Sequence, residues 1–206
     1  MSPHVIGITE THLKPNKKFK LPGFHIRRAD RQDGNGAGGV ALLVSTAIQH
    51  RNWELNHFQG GILETISMEI AIRPHWSKII LAYNPCRTVT SAEFDFVLDQ
   101  FEHCLLMGDV NAHHAQWEPG KQRSNCTGKA LVDSLSRNRD LIILNPPDLP
   151  TRTDPETAVT SNLDMFIGSR HYHQCKIELG KDLNNPCLIL KGKYQTLFLC
   201  SHNLHH

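Results

Sequence analysis

The sequence predicts an α/β domain in which two mixed β-sheets pack face to face with helices outside, a four-layer sandwich. Three observations carry this expectation. Apolar runs of strand length recur along most of the chain, only two segments have helical periodicity, and the two kinds of segment interleave. With 206 residues, 39% hydrophobic and 20% charged, the chain is long enough for one substantial core.

The elements follow in order. Val5 to Ile8 is a short apolar run ending at Thr9-Glu10-Thr11-His12, the pattern of a buried strand that delivers polar side chains at its C-terminal end. Lys14 to Arg31 is basic and interrupted by Pro15, Pro22 and Gly23, so it reads as an irregular connection with at most one short strand. Gly34, Gly36, Gly38 and Gly39 open a second buried strand, Val40 to Val44. Ile66, Met68, Ile70 and Ile72 alternate with polar or small residues, and Ile79 to Tyr83 forms a further strand closed by Asn84-Pro85.

Thr90-Ser91-Ala92-Glu93 has capping-box spacing, and Phe94, Val97, Leu98 and Phe101 follow on one helical face. Leu105 to Met107 is a short strand ending in Gly108-Asp109-Val110-Asn111, and Gly128 to Asn138 is a second helix carrying Ala130, Leu131 and Leu135. Leu141 to Leu144, Asn162 to Ile167 and Cys187 to Leu190 complete the expected strands. Residues 1–190 make the domain, and Lys191 to His206 reads as an irregular, His-rich tail.

Composition narrows the function classes without choosing one. A net charge of +2 neither demands nor excludes nucleic acid, so any case for DNA must come from a site. No stretch of about 18 apolar residues and no export signal is visible, which points to an intracellular protein outside the membrane. The six cysteines are scattered without a CxxC pair, which argues against a zinc module and favours reduced, mostly buried thiols.

Asp109 and Asn111, two apart at a strand end, project to the same side and join an ionic to an amide group. Such a pair suits phosphodiester chemistry: the carboxylate orients or deprotonates a water and the amide donates to a phosphoryl oxygen. The same four residues also make an ordinary Asx-rich turn. Glu10 is open in the same way, as a ligand for a hard divalent ion or as a solvated loop residue. Tyr83 serves equally as an anchor for the Asn-Pro turn, Asp164 as a strand-end cap, and His12, His113 and His114 lack zinc-ligand spacing.

The ordered set alters the balance: Glu10-Thr11-His12, Gly38-Gly39-Val40, Tyr83-Asn84-Pro85, Gly108-Asp109-Val110-Asn111-Ala112 with Trp117 following, and Ser161-Asn162-Leu163-Asp164. This order and spacing resembles the exonuclease–endonuclease–phosphatase superfamily, and within it the endonuclease domain of jockey-like non-LTR retrotransposons. The resemblance spans Pro3 to Leu190. It implies that Glu10 holds a catalytic Mg²⁺ or Mn²⁺, that Tyr83 reaches the scissile phosphate, that Asp109 orients the attacking water and that Asn111 supports it. It further implies that Asp164 orients a catalytic histidine and that Thr151 lines the site. Asp182, aligned on the family's Ser-Asp-His, would be a second metal contact. The basic residues Lys14, Lys17, Arg27 and Arg28 would contact DNA phosphates, although a solvated basic loop explains them equally. The implied partner is DNA, in the nucleus, with no organic cofactor; oligomeric state is not specified.

Two departures from the resemblance stand out. The family's first strand, which bears a metal-binding asparagine, and the helix after it have no counterpart before Val5. Loss of a strand from inside a sheet leaves buried backbone groups unpaired at about 1–3 kcal/mol each. At the other end, either register puts Leu183 or Asn184 where the catalytic histidine belongs, and neither exchanges a proton near neutral pH. The expectation is therefore an endonuclease domain of impaired turnover. The alternatives are a non-catalytic relic and a repair nuclease or phosphatase of the same superfamily.

Overall fold

In the computed structural model the described residues are 3–31, 38–72, 75–99, 103–120, 124–147, 149–154, 156–180, 187–192 and 196–201. The chain runs through β1 (Val5–Thr9), β2 (Phe24–Ala29), β3 (Val40–Ser45), β4 (His50–Asn52), β5 (Glu64–Ile72) and β6 (His75–Tyr83) before its first helix, α1 (Ser91–Leu98). Then come β7 (Cys104–Asp109), α2 (Cys126–Arg137), β8 (Leu141–Ile143), β9 (Arg152–Thr153), β10 (Thr160–Ser161) and β11 (Asp164–Ser169). A short 3₁₀ turn, β12 (Lys176–Leu179), β13 (Cys187–Lys191) and β14 (Thr196–Ser201) follow.

Two six-stranded sheets result, in the orders β12-β13-β14-β1-β3-β2 and β4-β5-β6-β7-β11-β8, with β9 and β10 as a separate hairpin. Both sheets mix parallel and antiparallel pairs, since β1 runs parallel to β14 and β6 parallel to β7. The inner faces meet in one apolar layer, where Val5, Leu42, Val44 and Leu199 of the first sheet oppose Leu81, Leu105, Met107 and Phe166 of the second. Alternation along β1 puts Gly7 on that inner face. A Cβ there would lie 2.4 Å from Met107 Cε and 2.8 Å from Leu81 Cδ1, so a larger residue would have to displace the ends of these two side chains.

The predicted pairing of two sheets is present, and the helices lie over the second one. Phe94, Val97 and Leu98 of α1 and Leu131 of α2 pack with Trp117 against Ile80, Leu106, Met165 and Ile167. Phe94 is 0% exposed and Trp117 1%, burial for which truncation costs about 3–5 kcal/mol each. The outer face of the first sheet carries a much smaller cluster, Ile8, Ala41 and Leu43 flanked by Phe19, Phe24 and Ile26.

The one strand allowed for in the basic segment is present as β2, a six-residue edge strand organised by antiparallel pairing to β3. Other expectations are revised. Thr90 caps α1, its hydroxyl accepting from the Glu93 N–H at 3.2 Å. The Glu93 carboxylate does not return the bond; it accepts from the Ile62 and Leu63 amides at 2.6 and 2.7 Å and ties the approach to β5. Phe101 lies outside the described residues.

The largest revision concerns the C-terminal segment. Residues 196–201, read as irregular, form β14 in the middle of the first sheet, parallel to β1 and antiparallel to β13. The backbone of β1 is therefore paired on both sides, to β14 and β3, and the orphaned groups expected from a missing interior strand do not arise there. Leu197 and Leu199 each bury to 1% exposed in the inner layer, which gives this short segment a reason to be a strand that no periodicity in the tail as a whole reveals. The same hairpin corrects the reading of reduced thiols: Cys200 is disulfide-bonded, and the β13–β14 register makes Cys187 its cross-strand Cα partner, while Cys86, Cys104, Cys126 and Cys175 are free.

Candidate active site

The strands that carry the predicted polar residues end close together. β6 and β7 are parallel, with Tyr83 registered to Asp109, and β11 is antiparallel to β7, with Asp164 registered to Asp109. Three adjacent strands of one sheet thus bring Tyr83, Asp109 and Asp164 into a row. β1, in the opposite sheet, ends at Thr9, and the next residue, Glu10, accepts a hydrogen bond from the Tyr83 hydroxyl across the sandwich.

The backbone of this rim is conformationally unusual. Glu10, His12, Cys86 and Asn111 all have positive φ, at 54°, 50°, 56° and 47°. Asparagine tolerates that region and glutamate rarely adopts it, so the surrounding structure must impose it. At Glu10 the cause is visible: the Thr11 and His12 amides donate to Gly39 and Gly38 at 3.1 and 2.9 Å, which turns the chain as it leaves β1. Gly108, before Asp109, serves close approach, since a Cβ there would sit 1.8 Å from the Ala82 carbonyl oxygen.

Each side chain is held in place. Asp109 is 6% exposed and accepts from the Asn111 N–H at 3.0 Å. The Asn111 side chain donates to the Asn84 carbonyl at 2.7 Å, and buried Asn84 donates to Val110 O at 3.0 Å and Arg87 O at 2.9 Å. Asn125 binds the same loop from beyond: its Oδ1 caps α2 at Gly128 N and also accepts from His113 N, while its Nδ2 donates to Asn111 O at 2.9 Å. One residue thereby couples the start of α2 to the loop after β7.

Asp164, 4% exposed, is fixed through its backbone. The Thr151 hydroxyl accepts from the Leu163 and Asp164 amides at 2.9 and 3.0 Å. Asn145 donates to the Asp164 carbonyl at 2.8 Å and accepts from Phe166 N at 2.8 Å. Thr151 thus acts on Asp164 as a buried backbone clamp.

Electrostatics follow from this crowding. Burial is the main reason the Asp109 carboxyl lies well above its ordinary range. The charges of Asp164 and Glu10 push the same way, against the Asn111 N–H and the Arg152 guanidinium. The Tyr83 phenol is pushed far up, first by burial, then by its hydrogen bond to Glu10 and the charges of Glu10 and Asp109, so it keeps its proton and acts as a donor. Burial and the Asp109 charge also raise the exposed Cys86 thiol, again opposed by Arg152.

Oxygen donors gathered at one rim suit a hard divalent cation. Among the described residues no three His, Cys, Asp or Glu side chains form a ready cage, and an ion of the Mg²⁺ class needs none, because it takes one or two carboxylates and keeps several waters. Glu10 could serve as one such ligand, and a cation beside Asp109 would offset the accumulated negative charge. Asp182, with Leu183 and Asn184, lies outside the described residues.

Of the other predicted residues, Arg27 is engaged within the fold, donating to Trp53 O at 3.2 Å and Ser67 O at 2.8 Å and pairing with Glu54. Arg28 pairs with Asp30 and donates to Pro15 O at 3.1 Å. Lys14 and Lys17 are exposed. His113 pairs with the buried Glu118 at 2.8 Å, and the His114 ring packs tilted against Trp117, 5.3 Å between centroids. Sequence reading missed Asn125, Asn145 and Arg152, because each acts through contacts between segments distant in the chain.

Residues 77–185 match the profile of the endonuclease-reverse transcriptase family. The chain is 27% identical over 168 residues to the RNA-directed DNA polymerase from mobile element jockey of Drosophila funebris, covering 79% of this chain and 18% of that protein. It is 33% identical over 132 residues to the probable RNA-directed DNA polymerase from transposon X-element of Drosophila melanogaster, covering 63% and 14%. The chain thus spans less than a fifth of these relatives' length. Its fold matches the endonuclease domain of TRAS1, a telomere-specific non-LTR retrotransposon, at a TM-score of 0.64 and 14% identity over 94% of this chain and 96% of that one. The Xenopus laevis APE2 catalytic domain matches at 0.60 and 10% identity over 94% and 84%. With more than half of its length inside that profile, the chain belongs to the endonuclease-reverse transcriptase family.

Proposed function

We propose that this domain hydrolyses phosphodiester bonds of DNA with a divalent cation, Mg²⁺ or Mn²⁺. The observation that supports this best is the convergence of Glu10, Tyr83, Asp109, Asn111 and Asp164 from separate segments at one rim, joined by the Tyr83–Glu10 hydrogen bond and the Asp109–Asp164 register. A cation held at Glu10 would polarise the phosphate and neutralise the departing oxygen. Asp109, ionised, accepts a hydrogen bond from the attacking water and aims it. Tyr83 keeps its hydroxyl proton and donates toward the phosphate, while Asn111 fixes the loop that carries Asp109. Asp164 holds the far side of the row.

No imidazole stands at position 183 or 184, so Asp164 has no histidine there to orient. Absence of a general acid/base costs roughly 10²–10⁴-fold in rate, and this favours a slow enzyme. The test is nicking of supercoiled plasmid in Mg²⁺ or Mn²⁺ by the domain, by Asp109→Ala and by Leu183→His. Slow, metal-dependent nicking lost in Asp109→Ala and raised by Leu183→His is expected. If a cooperatively folded domain nicks in none of the three forms, the hydrolytic role is wrong and a non-catalytic relic remains. Parallel assays on an abasic duplex and a phosphoinositide separate retroelement-type cleavage from repair or phosphatase chemistry.

A further inference from the structure

The β9–β10 hairpin places a cation beside a row of carboxylates. Arg152 opens β9, directly after Thr151, whose hydroxyl binds the Asp164 and Leu163 amides, and its register partner is Ser161 of β10. Its position is therefore fixed by the clamp that fixes Asp164. The turn beyond is also ordered: Asp154 accepts from Thr157 N at 2.7 Å, Thr157 Oγ1 at 2.8 Å and Glu156 N at 3.0 Å. The exposed Arg152 side chain makes no hydrogen bond or ion pair with any described residue, whereas Arg27, Arg28, Arg31 and Arg137 are each engaged by carboxylates. Its charge nonetheless reaches the site, since it opposes the upward shifts at both Asp109 and Cys86.

An arginine on a strand anchored by the Asp164 clamp, its head group unpaired among the described residues and its charge acting on Asp109, has a shape that stability does not require. A guanidinium fork suits a phosphate, which it can bind through two parallel hydrogen bonds. A polyanion entering a rim that already holds Glu10, Asp109 and Asp164 also meets repulsion that a nearby cation relieves. We propose that Arg152 is a substrate-binding residue that grips a backbone phosphate next to the scissile one. This rests on the nuclease reading above.

The test uses the whole domain with Arg152→Ala and Arg152→Lys. Binding of a short fluorescent DNA duplex is followed by anisotropy in Ca²⁺ across a range of KCl, and plasmid nicking is measured in Mg²⁺. Arg152→Ala should bind about 5–10-fold more weakly and lower the log-affinity against log-salt slope by about one, as expected for one lost phosphate contact. Arg152→Lys should keep the slope while losing part of the affinity. KM for nicking should rise with kcat within about twofold, the pattern of a uniform binding contact. If Arg152→Ala matches the wild type in affinity and slope while the wild type binds and nicks DNA, the assignment is wrong and the nuclease reading stands. A wild-type domain that neither binds nor nicks DNA overturns both.

Discussion

The two sheets contribute unequally to the rim, and they are built by different means. In the second sheet Tyr83, Asp109 and Asp164 sit on three neighbouring strands, β6, β7 and β11, backed by α1, α2 and the buried Trp117. Among the described residues the first sheet contributes Glu10 to the rim, and the strand that delivers it is held on one side by β14, which comes from the far end of the chain. Neither described helix backs that sheet; the described cover is a small cluster around Leu43 and Phe19. The carboxylate row thus has a locally assembled half and a half whose geometry depends on a distant segment.

The largest effect should come from breaking that dependence. Removing residues 192–206 strips β1 of its five registered partners, Leu197 to Ser201, and takes two core leucines from the inner layer. Core leucines cost about 2–5 kcal/mol each on truncation to alanine, against a typical total stability of roughly 5–15 kcal/mol. The shortened chain should lose its cooperative thermal transition, and amides of β1 and β3 should exchange before those of β6 and β7. A melt within about 1 kcal/mol of the full chain would show that β1 does not need β14, and the contrast between the sheets would fall.

How much of this was legible follows the same division. Most strands of the second sheet could be read from an apolar run or alternation, and those at the rim end in a polar motif, as Leu105 to Asn111 does; β4, His50–Asn52, could not, since it has no apolar residue. β14 could not, because Thr196 to Ser201 becomes a strand only through pairing with β1 and β13, nearly the whole chain length away in the first case. The resemblance gave Glu10 and Tyr83 separate roles and no contact with each other; their hydrogen bond depends on a turn fixed by the Gly38 and Gly39 carbonyls, which lies in neither motif. Glu93 shows the converse error. Its spacing from Thr90 fits a reciprocal cap, yet a loop with two unsatisfied amides claims its carboxylate.

A smaller effect tests whether the locally assembled half is as tightly organised as its contacts imply. Thr151→Val keeps the side-chain volume and removes the acceptor for the Leu163 and Asp164 amides, both buried. Unpaired buried donors cost about 1–3 kcal/mol, so a urea titration should show a loss in that range with an unchanged slope. Plasmid nicking should fall as well, because Asp164 would no longer be held in register with Asp109. A stability loss without any change in nicking would leave Thr151 as a structural residue alone.

The smallest effect concerns protons at the junction of the two halves. Burial and the Asp164 charge raise the Asp109 carboxyl above its ordinary value in the folded protein. A group raised on folding contributes stability that is fully present below its unfolded pKa, about 3.9, and is lost as pH rises through the folded value. The cation-free domain should therefore weaken from acid toward neutral pH by this contribution. Asp109→Asn abolishes the titration, so at neutral pH it should melt higher than the wild type, by about 2–4 °C if the relief is near 1 kcal/mol, while losing all nicking. Mg²⁺ should raise the wild-type melting temperature and leave Asp109→Asn less changed, because the charge that the cation offsets is gone. Equal melting temperatures for the two proteins from pH 5 to 8 would mean that Asp109 is ionised without strain. The crowding of carboxylates at the rim would then carry no energetic consequence.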